Sequence, residues 1–233
     1  MPPINLSNYA NIVFFTGAGM SAESGVPTYR GQGGIWNEYK WEEYACQAAF
    51  EEDPQKVLEF HELRRQAVLD CKPHSGHYVI TDVESKYPRV SVITQNIDGM
   101  HQRAGTKNLI ELHGSLWRLR CPIHGVFEDI GRTYKSYGCE KCDNWLRPEI
   151  TWFNDMLDQI VIDQAVTLIS KCDLFISIGT SGVVWPAASY PQIAKGTGAY
   201  CVEINPEQSE MSTMYDESIR KPASEGLEGL FVL

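Results

Sequence analysis

Four stretches of this 233-residue chain combine residue types and spacings that chemistry could use. Gly17-Ala18-Gly19-Met20-Ser21-Ala22 follows the apolar run Ile12 to Phe15 and matches the G-x-G-x-x-G/A turn. In that turn two glycines let the backbone bend tightly and approach a pyrophosphate, and a small sixth residue lets a helix pack close. A turn of small residues without a ligand reads the same way, and the acidic residue that a dehydrogenase sets on a ribose about 20 positions later has no convincing counterpart. Gln95-Asn96-Ile97-Asp98-Gly99 gathers three hydrogen-bonding side chains and reads either as a ligand-binding segment or as a strand-to-helix turn capped by Asp98. Glu111-Leu112-His113-Gly114-Ser115 holds a histidine whose ordinary pKa near neutrality suits a general base, though a single histidine can equally be structural. Cys121-Pro122-Ile123-His124 and Cys139-Glu140-Lys141-Cys142 are two ligand pairs at zinc spacing, 14 residues apart, and their N/S set suits a closed, structural zinc; the alternative is an insert without metal.

These residues need elements to position them. Short β-rich runs alternate with helical stretches, the pattern of a parallel sheet covered by helices on both faces. Strands are expected over 11–16, 90–94, 109–112, 174–179 and 200–204, each nearly all apolar as strands buried on both faces are. The turn at Gly17, the segment at Gln95 and His113 then all sit at carboxyl ends of strands, where open α/β sheets bind ligands. A helix is expected from Pro54, with Val57, Phe60, Leu63, Ala67 and Val68 at helical spacing, and further helices over 73–84 and 156–170. The other histidines, at 61, 74, 77, 101 and 124, fall on expected helices or in an insert, which leaves His113 the best-placed base. After the first turn, the glycines and proline of Glu23 to Gly31 rule out a long helix immediately after it and imply a loop that is either mobile or shaped by a ligand. The stretch 118–147, rich in Gly, Cys and charge, shows little helical or strand periodicity and reads as an insert. The expected fold class is therefore α/β, a Rossmann-like parallel sheet with helices on both faces plus a small discontinuous zinc-binding and helical module. Residues 1–37, 75–118 and 148–233 form the nucleotide-binding domain, 38–74 and 119–147 the module, and a cleft between them holds the site.

Composition bounds the rest. With 43% hydrophobic and 21% charged residues the chain is an ordinary globular protein without repeats or low-complexity tracts. Its longest apolar runs are about five residues against the roughly 20 that cross a bilayer, so no membrane span is expected. The N-terminal residues MPPINLSNYANIVFF lack the basic and long apolar regions of a secretory signal, so a cytoplasmic location is expected. A net charge of −10 argues against direct nucleic-acid binding and makes a cationic partner the more natural one. Seven unevenly placed cysteines suit a reducing compartment, with Cys46, Cys71, Cys172 and Cys201 expected in the core. Oligomeric state is not legible.

Taken together, these motifs resemble those of the sirtuin family over nearly the whole chain. GAGMSAESGVPTYRGQGGIW, from Gly17 to Trp36, looks like the family's long NAD-binding motif, QNIDG like its nicotinamide-pocket motif and His113-Gly114 like its catalytic pair; Gly179-Thr180-Ser181 and Asn205 resemble later NAD contacts. The resemblance implies an NAD-consuming protein-lysine deacylase with acylated lysines of proteins as partners, NAD as co-substrate and zinc as a structural ion. It assigns NAD contacts to Gly17, Ala18, Gly19, Ala22, Pro27, Thr28, Tyr29, Arg30, Trp36, Gln95, Asn96, Ile97, Asp98, Gly179, Thr180, Ser181, Asn205 and Ala223. Within these, Asp98 and Ile97 would hold the nicotinamide carboxamide, and Gln95 and Asn96 the ribose and a water near it. His113, with Asn96 as the second catalytic residue, would take a proton from a ribose hydroxyl, whose alkoxide attacks the acyl carbon. Tyr29 stands where the family usually has phenylalanine to shield the reaction from returning nicotinamide, and His124 stands where the zinc pattern usually has a second cysteine.

His61 and Arg64 share a helix face at i, i+3. In the sirtuin subclass that removes succinyl and malonyl groups, a tyrosine and an arginine at this spacing bind the acyl carboxylate. Arg64 fits and His61 departs; otherwise Arg64 and Arg65 are the solvated face of an amphipathic helix. Trp152 and Phe153, in Thr151-Trp152-Phe153, resemble the family's substrate strand, with Asn154 and Asp155 replacing the subclass's usual glycine and glutamate. A deacetylase accepting acidic acyl groups is thus the expectation. An ADP-ribosyltransferase or NAD glycohydrolase using the same pocket, and a non-catalytic NAD sensor, are the alternatives.

Overall fold

The computed structural model describes residues 2–29 and 33–232. After β1 (Ile4–Asn5), β2 (Ile12–Thr16) leads into the single-turn α1 (Gly19–Ala22). Helices α2 (Trp41–Tyr44), α3 (Gln47–Glu52), α4 (Pro54–Asp70) and α5 (Ser75–Lys86) precede β3 (Val90–Thr94), α6 (Met100–Ala104) and β4 (Leu109–Glu111). The chain then makes β5 (Gly114–Cys121), β6 (Gly125–Glu128) and β7 (Arg147–Ile150), and continues through α7 (Gln159–Ile169), β8 (Leu174–Ile178), α8 (Tyr190–Gly196), β9 (Tyr200–Ile204), β10 (Glu217–Ile219), α9 (Ala223–Leu227) and β11 (Phe231–Val232). β1 and β11 pair with each other, which joins the two ends of the chain.

The main sheet is all parallel in the order β10-β9-β8-β2-β3-β4. Every residue of β2 is buried, and its side chains divide between the two faces. Ile12 and Phe14 pack with Ile80 and Val83 of α5 and Leu227 of α9. Val13 and Phe15 pack with Ala165 and Ile169 of α7 and Tyr190 and Ala194 of α8. Each such large side chain removed from water stabilises the fold by roughly 1.5–3 kcal/mol, so a near-continuous apolar strand is what a sheet covered on both sides requires.

Strand order reverses between β2 and β8, the place where doubly wound sheets open a crevice. There the backbones nearly touch. Gly17 N donates to Ile178 O and Gly19 N to Gly179 O, both at 3.0 Å. A Cβ on Gly19 would lie 2.7 Å from Gly179 Cα, and one on Gly179 (φ +61°) 2.4 Å from Met20 N.

Several element ends differ from expectation for local reasons. Asp53 accepts from Lys56 N and caps α4, with Pro54 in its first turn. α5 starts two residues later than expected because the His74 side chain caps it, and α7 starts at Gln159 because Asp158 caps it. β8 stops at Ile178, since Gly179 turns left-handed. The aperiodic stretch 118–147 departs most, because it contributes to a three-stranded antiparallel sheet, β6-β5-β7. All four residues of β6 are exposed and the β5–β7 register shifts between Gly114 and Leu119, so no alternation of period two could appear. Arg65 also corrects the amphipathic-helix alternative. It is fully buried, paired with Asp129 at 2.8 Å, while Arg64 is half-buried.

Gly114, at φ +77°, opens β5, and a Cβ there would fall 2.0 Å from Glu149 O. Gly114→Ala should therefore destabilise the protein by about 3 kcal/mol in urea unfolding, combining overpacking with left-handed strain. Gly138→Ala, where a Cβ meets nothing within 4 Å, should stay within about 0.5 kcal/mol of the parent. Equal stabilities for the two variants would refute this account of the β5–β7 contact.

Candidate active site

The carboxyl ends of β2 and β3 are joined through one buried amide. Asn96 Nδ2 donates to Gly17 O at 2.9 Å and to Ser21 Oγ at 3.3 Å, and Asn96 N donates to Thr94 Oγ1 at 3.0 Å. The phosphate-type turn is thus tied to the segment that follows β3. Beside it opens a narrow cavity lined by Ala18, Val26, Pro27, Tyr29, Arg64, Asn96, Ile97 and Asp98. Asp98 is buried; its Oδ1 accepts from Met100 N at 2.8 Å. Burial pushes its carboxyl pKa up, opposed first by that N–H and then by Ser21 and Arg64. Tyr29 stacks on Trp36 with centroids 5.8 Å apart, and the Arg64 guanidinium carbon lies 5.1 Å from the Tyr29 ring centroid. The loop closes on itself through Ile35 N to Thr28 O and Trp36 N to Tyr29 O. Arg30, with Gly31 and Gln32, lies outside the described residues.

His113 stands between β4 and β5. Its Nδ1 is 3.0 Å from Gln95 O, and a carbonyl can only accept, so Nδ1 carries the proton and Nε2 keeps its lone pair. Burial lowers the His113 pKa below the ordinary 6.5, and the bond to Gln95 only partly opposes that. The ring is therefore a neutral base at pH 7, held by the strand end that also carries Asn96. His113 O accepts from Thr151 N at 2.9 Å, which ties the base to the start of the Trp152 segment.

Across the crevice, Thr180 is buried and Ser181 exposed after β8. Asn205 Nδ2 holds Thr180 O at 2.8 Å. Ala223 is buried at the start of α9, and Ser224 donates from N and Oγ to the Glu23 carboxylate at 2.8 and 2.6 Å, next to Ala22. Gly17, Ala18, Gly19, Gln95, Gly179, Thr180 and Asn205 thus all lie at one edge of the sheet.

The four expected metal ligands form one cluster. Their ligand atoms lie within 4.8 Å of one another, with Cys121 Sγ 3.4 Å from His124 Nδ1 and 3.5 Å from Cys142 Sγ, and Cys139 Sγ 3.5 Å from His124 Nδ1. A tetrahedral zinc about 2.3 Å from sulfur and about 2.0 Å from nitrogen spaces its ligands by roughly 3.5–3.8 Å, so the donors fit. Cys121 ends β5 seven residues from Gly114, roughly 24 Å of extended strand, so the ion would serve structure and not the cavity. Cys46, Cys172 and Cys201 are buried as expected; Cys71 is only half-buried.

Among the expected substrate residues, Phe153 packs on Trp41 at 4.6 Å and Trp36 at 5.7 Å between centroids. His61 is used up internally. Its Nδ1 bonds Val57 O at 2.8 Å and its Nε2 accepts from Trp152 Nε1 at 3.2 Å, with burial lowering its pKa to about 4.

The Sir2 family profile matches residues 17–186, spanning the turn, the cavity segment, His113 and the cysteine pairs. The chain belongs to the Sir2 family. It is 41% identical over 230 residues to the NAD-dependent protein deacylase of Aquifex aeolicus, covering 95% of this chain and 94% of that protein. It is 44% identical over 227 residues to NAD-dependent protein deacylase 2 of Pyrobaculum aerophilum, covering 97% and 91%. A Sir2 homologue solved as an NAD complex superposes with a TM-score of 0.89 at 39% identity, covering 97% of this chain and 90% of that one.

In this Sir2 protein the sequence motifs mark the residues around the cavity but not those behind them. Ser21 and Val26 are within the first motif, so their contacts were within reach of inspection. Trp117, whose Nε1 donates to Asp98 O at 2.8 Å, and the Arg65–Asp129 pair carry no motif signal because their partners are distant in the chain. Protein purified without chelator should carry about one zinc ion per chain, lost in His124→Ala and retained in His124→Cys. Metal analysis giving clearly substoichiometric zinc for the parent would remove the metal centre.

Proposed function

We propose that this Sir2 protein is an NAD-dependent protein-lysine deacylase in which His113 is the general base. The observation that carries the reading is the His113 ring, neutral and oriented by Gln95 O with Nε2 unbonded among the described residues, at the same strand end as the cavity. NAD would supply the anomeric carbon that accepts the acyl oxygen as nicotinamide departs. Asp98 accepts a hydrogen bond from the carboxamide, with Ile97 beside it, and Asn96 and Gln95 bind the ribose side. The glycine turn with Ala18 and Ala22 takes the pyrophosphate, Pro27, Thr28, Tyr29 and Trp36 border the nucleotide, and Gly179, Thr180, Ser181, Asn205 and Ala223 hold its far half; Arg30 is assigned an NAD contact by the family motif alone. His113 Nε2 removes the proton of a ribose hydroxyl, whose alkoxide attacks the acyl carbon; the lysine amine then leaves and a water molecule is taken up, which gives deacylated lysine and an acyl ester of ADP-ribose.

The acylated lysine would enter beside Trp152 and Phe153. Acidic acyl groups are received by Arg64 and not by His61: Arg64 Nε is buried without a partner among the described residues and the side chain lines the cavity, whereas His61 is neutral with both nitrogens engaged. The proposal includes the division into a nucleotide-binding domain (1–37, 75–118, 148–233) and a zinc-bearing module (38–74, 119–147), meeting along β5 and β7. It also includes a cytoplasmic location without direct nucleic-acid or membrane binding. No helix among the described residues is long and apolar enough to cross a membrane.

The test is incubation with NAD and matched acetyl-, succinyl- and unmodified-lysine peptides, following nicotinamide release and peptide mass together. Release coupled to loss of the acyl mass is expected; release without deacylation, or a mass gain on protein, would point to a glycohydrolase or transferase. His113→Ala should lower turnover at least about 100-fold. Because the His113 pKa lies below 6.5 and the neutral form is the base, kcat/KM should be level near pH 7 and fall on acidification, with its midpoint below 6.5. Arg64→Ala should lower desuccinylation relative to deacetylation, and an unchanged ratio would end the acidic-acyl reading.

A further inference from the structure

Asp98 can meet a carboxamide only if the backbone from 97 to 99 is held still, and that backbone has left the regular ladder of the sheet. Two groups from β5 hold its consecutive carbonyls. Leu116 N donates to Ile97 O at 3.0 Å, and Trp117 Nε1 donates to Asp98 O at 2.8 Å. The indole lies directly on Gly99 (φ +77°), where a Cβ would come 2.6 Å from Nε1, so this approach is possible only because residue 99 has no side chain.

Trp117 is itself held from behind. Its carbonyl accepts from Asp129 N at 2.9 Å, and the Arg65 guanidinium carbon sits 5.4 Å from its ring centroid and 4.3 Å from that of Tyr134. Arg65 donates to Asp129 Oδ1 at 2.8 Å, to Asp129 O and to Gly131 O at 2.9 Å. Asp129, Gly131 and Tyr134 all belong to the stretch between the two metal-ligand pairs. Both members of the ion pair are buried, where breaking one partner strands the other charge, so the brace is rigid.

We propose that Trp117 is a positioning residue for Asp98, braced by the Arg65–Asp129 pair, so that the zinc-bearing arm sets the geometry of the nicotinamide pocket. This rests on the reading that Asp98 receives the carboxamide. The two readings separate experimentally in the full chain. Trp117→Phe keeps a ring against Gly99 and removes only the N–H donor. Losing one hydrogen bond should raise the NAD KM and the nicotinamide inhibition constant roughly fivefold, with kcat within about twofold. The dissociation constant of ADP-ribose, which lacks nicotinamide, and the zinc content should not change. Arg65→Lys, which keeps the charge but cannot reach Asp129 and Gly131 together, should move the same two constants in the same direction by roughly two- to threefold.

Unchanged NAD and nicotinamide constants in Trp117→Phe overturn the proposal, as does an equal weakening of ADP-ribose, which would mean general loosening. Asp98→Asn tests the parent reading. If it leaves nicotinamide inhibition unchanged, both readings fall; if it raises the constant while Trp117→Phe does not, only the positioning role falls.

Discussion

Gly17 and Gly19 lie against Gly179 with no side chain between them, at the point where the sheet reverses its strand order. The contact is steric before it is anything else. Adding one carbon to any of the three drives it into a neighbouring backbone, which would push β2 and β8 apart or displace the turn. Because the turn is fixed against β8, Asn96 can reach Gly17 O from the other side, and Gln95, one residue earlier, presents its carbonyl to His113. The crevice, the cavity and the base are thus coupled to one backbone contact.

The second dependency runs through β5. The strand begins one residue after His113, passes Trp117 and ends at Cys121, so a single extended segment carries the base at one end and a metal ligand at the other. Its pairing with β7 fixes the position of Thr151 against His113 O. The small sheet therefore contributes to the site by geometry, and a zinc held by Cys121, His124, Cys139 and Cys142 would tie the end of β5 to the loop at 139–142.

How much of this was legible in the sequence follows from the range of the interactions. The strands at 90–94 and 200–204 were readable to the residue because burial on both faces leaves an unbroken apolar run. The zinc cluster was readable because its ligands are paired within short loops. The antiparallel sheet was not, since β6 is exposed on both faces and β5 carries a register shift, and neither leaves a periodic trace. Arg65 was not legible either. Nothing in Leu63-Arg64-Arg65 says which arginine turns inward; that is decided by Asp129 and Gly131, more than sixty residues away. His61 likewise looked available at helical spacing from Arg64, and only the packing of Trp152 shows its nitrogens consumed.

The buried histidines show why residue type alone could not assign the base. Burial lowers the pKa of His61 to about 4, of His101 to about 4 and of His77 to about 2, and it lowers that of His113 as well. All four are neutral at pH 7, so charge does not distinguish them. What differs is the second nitrogen. His61 spends it on Trp152, and His101 bonds Thr16 Oγ1 at 3.0 Å and leaves Nδ1 buried. His77 places Nε2 in the interior without a partner. Among the described residues, His113 alone of these four has one nitrogen anchored by a strand-end carbonyl while the other shows neither a hydrogen bond nor a place among the buried unpartnered atoms. A base needs a fixed ring and an accessible lone pair together, and the position between β4 and β5, at the carboxyl edge of the sheet, supplies both.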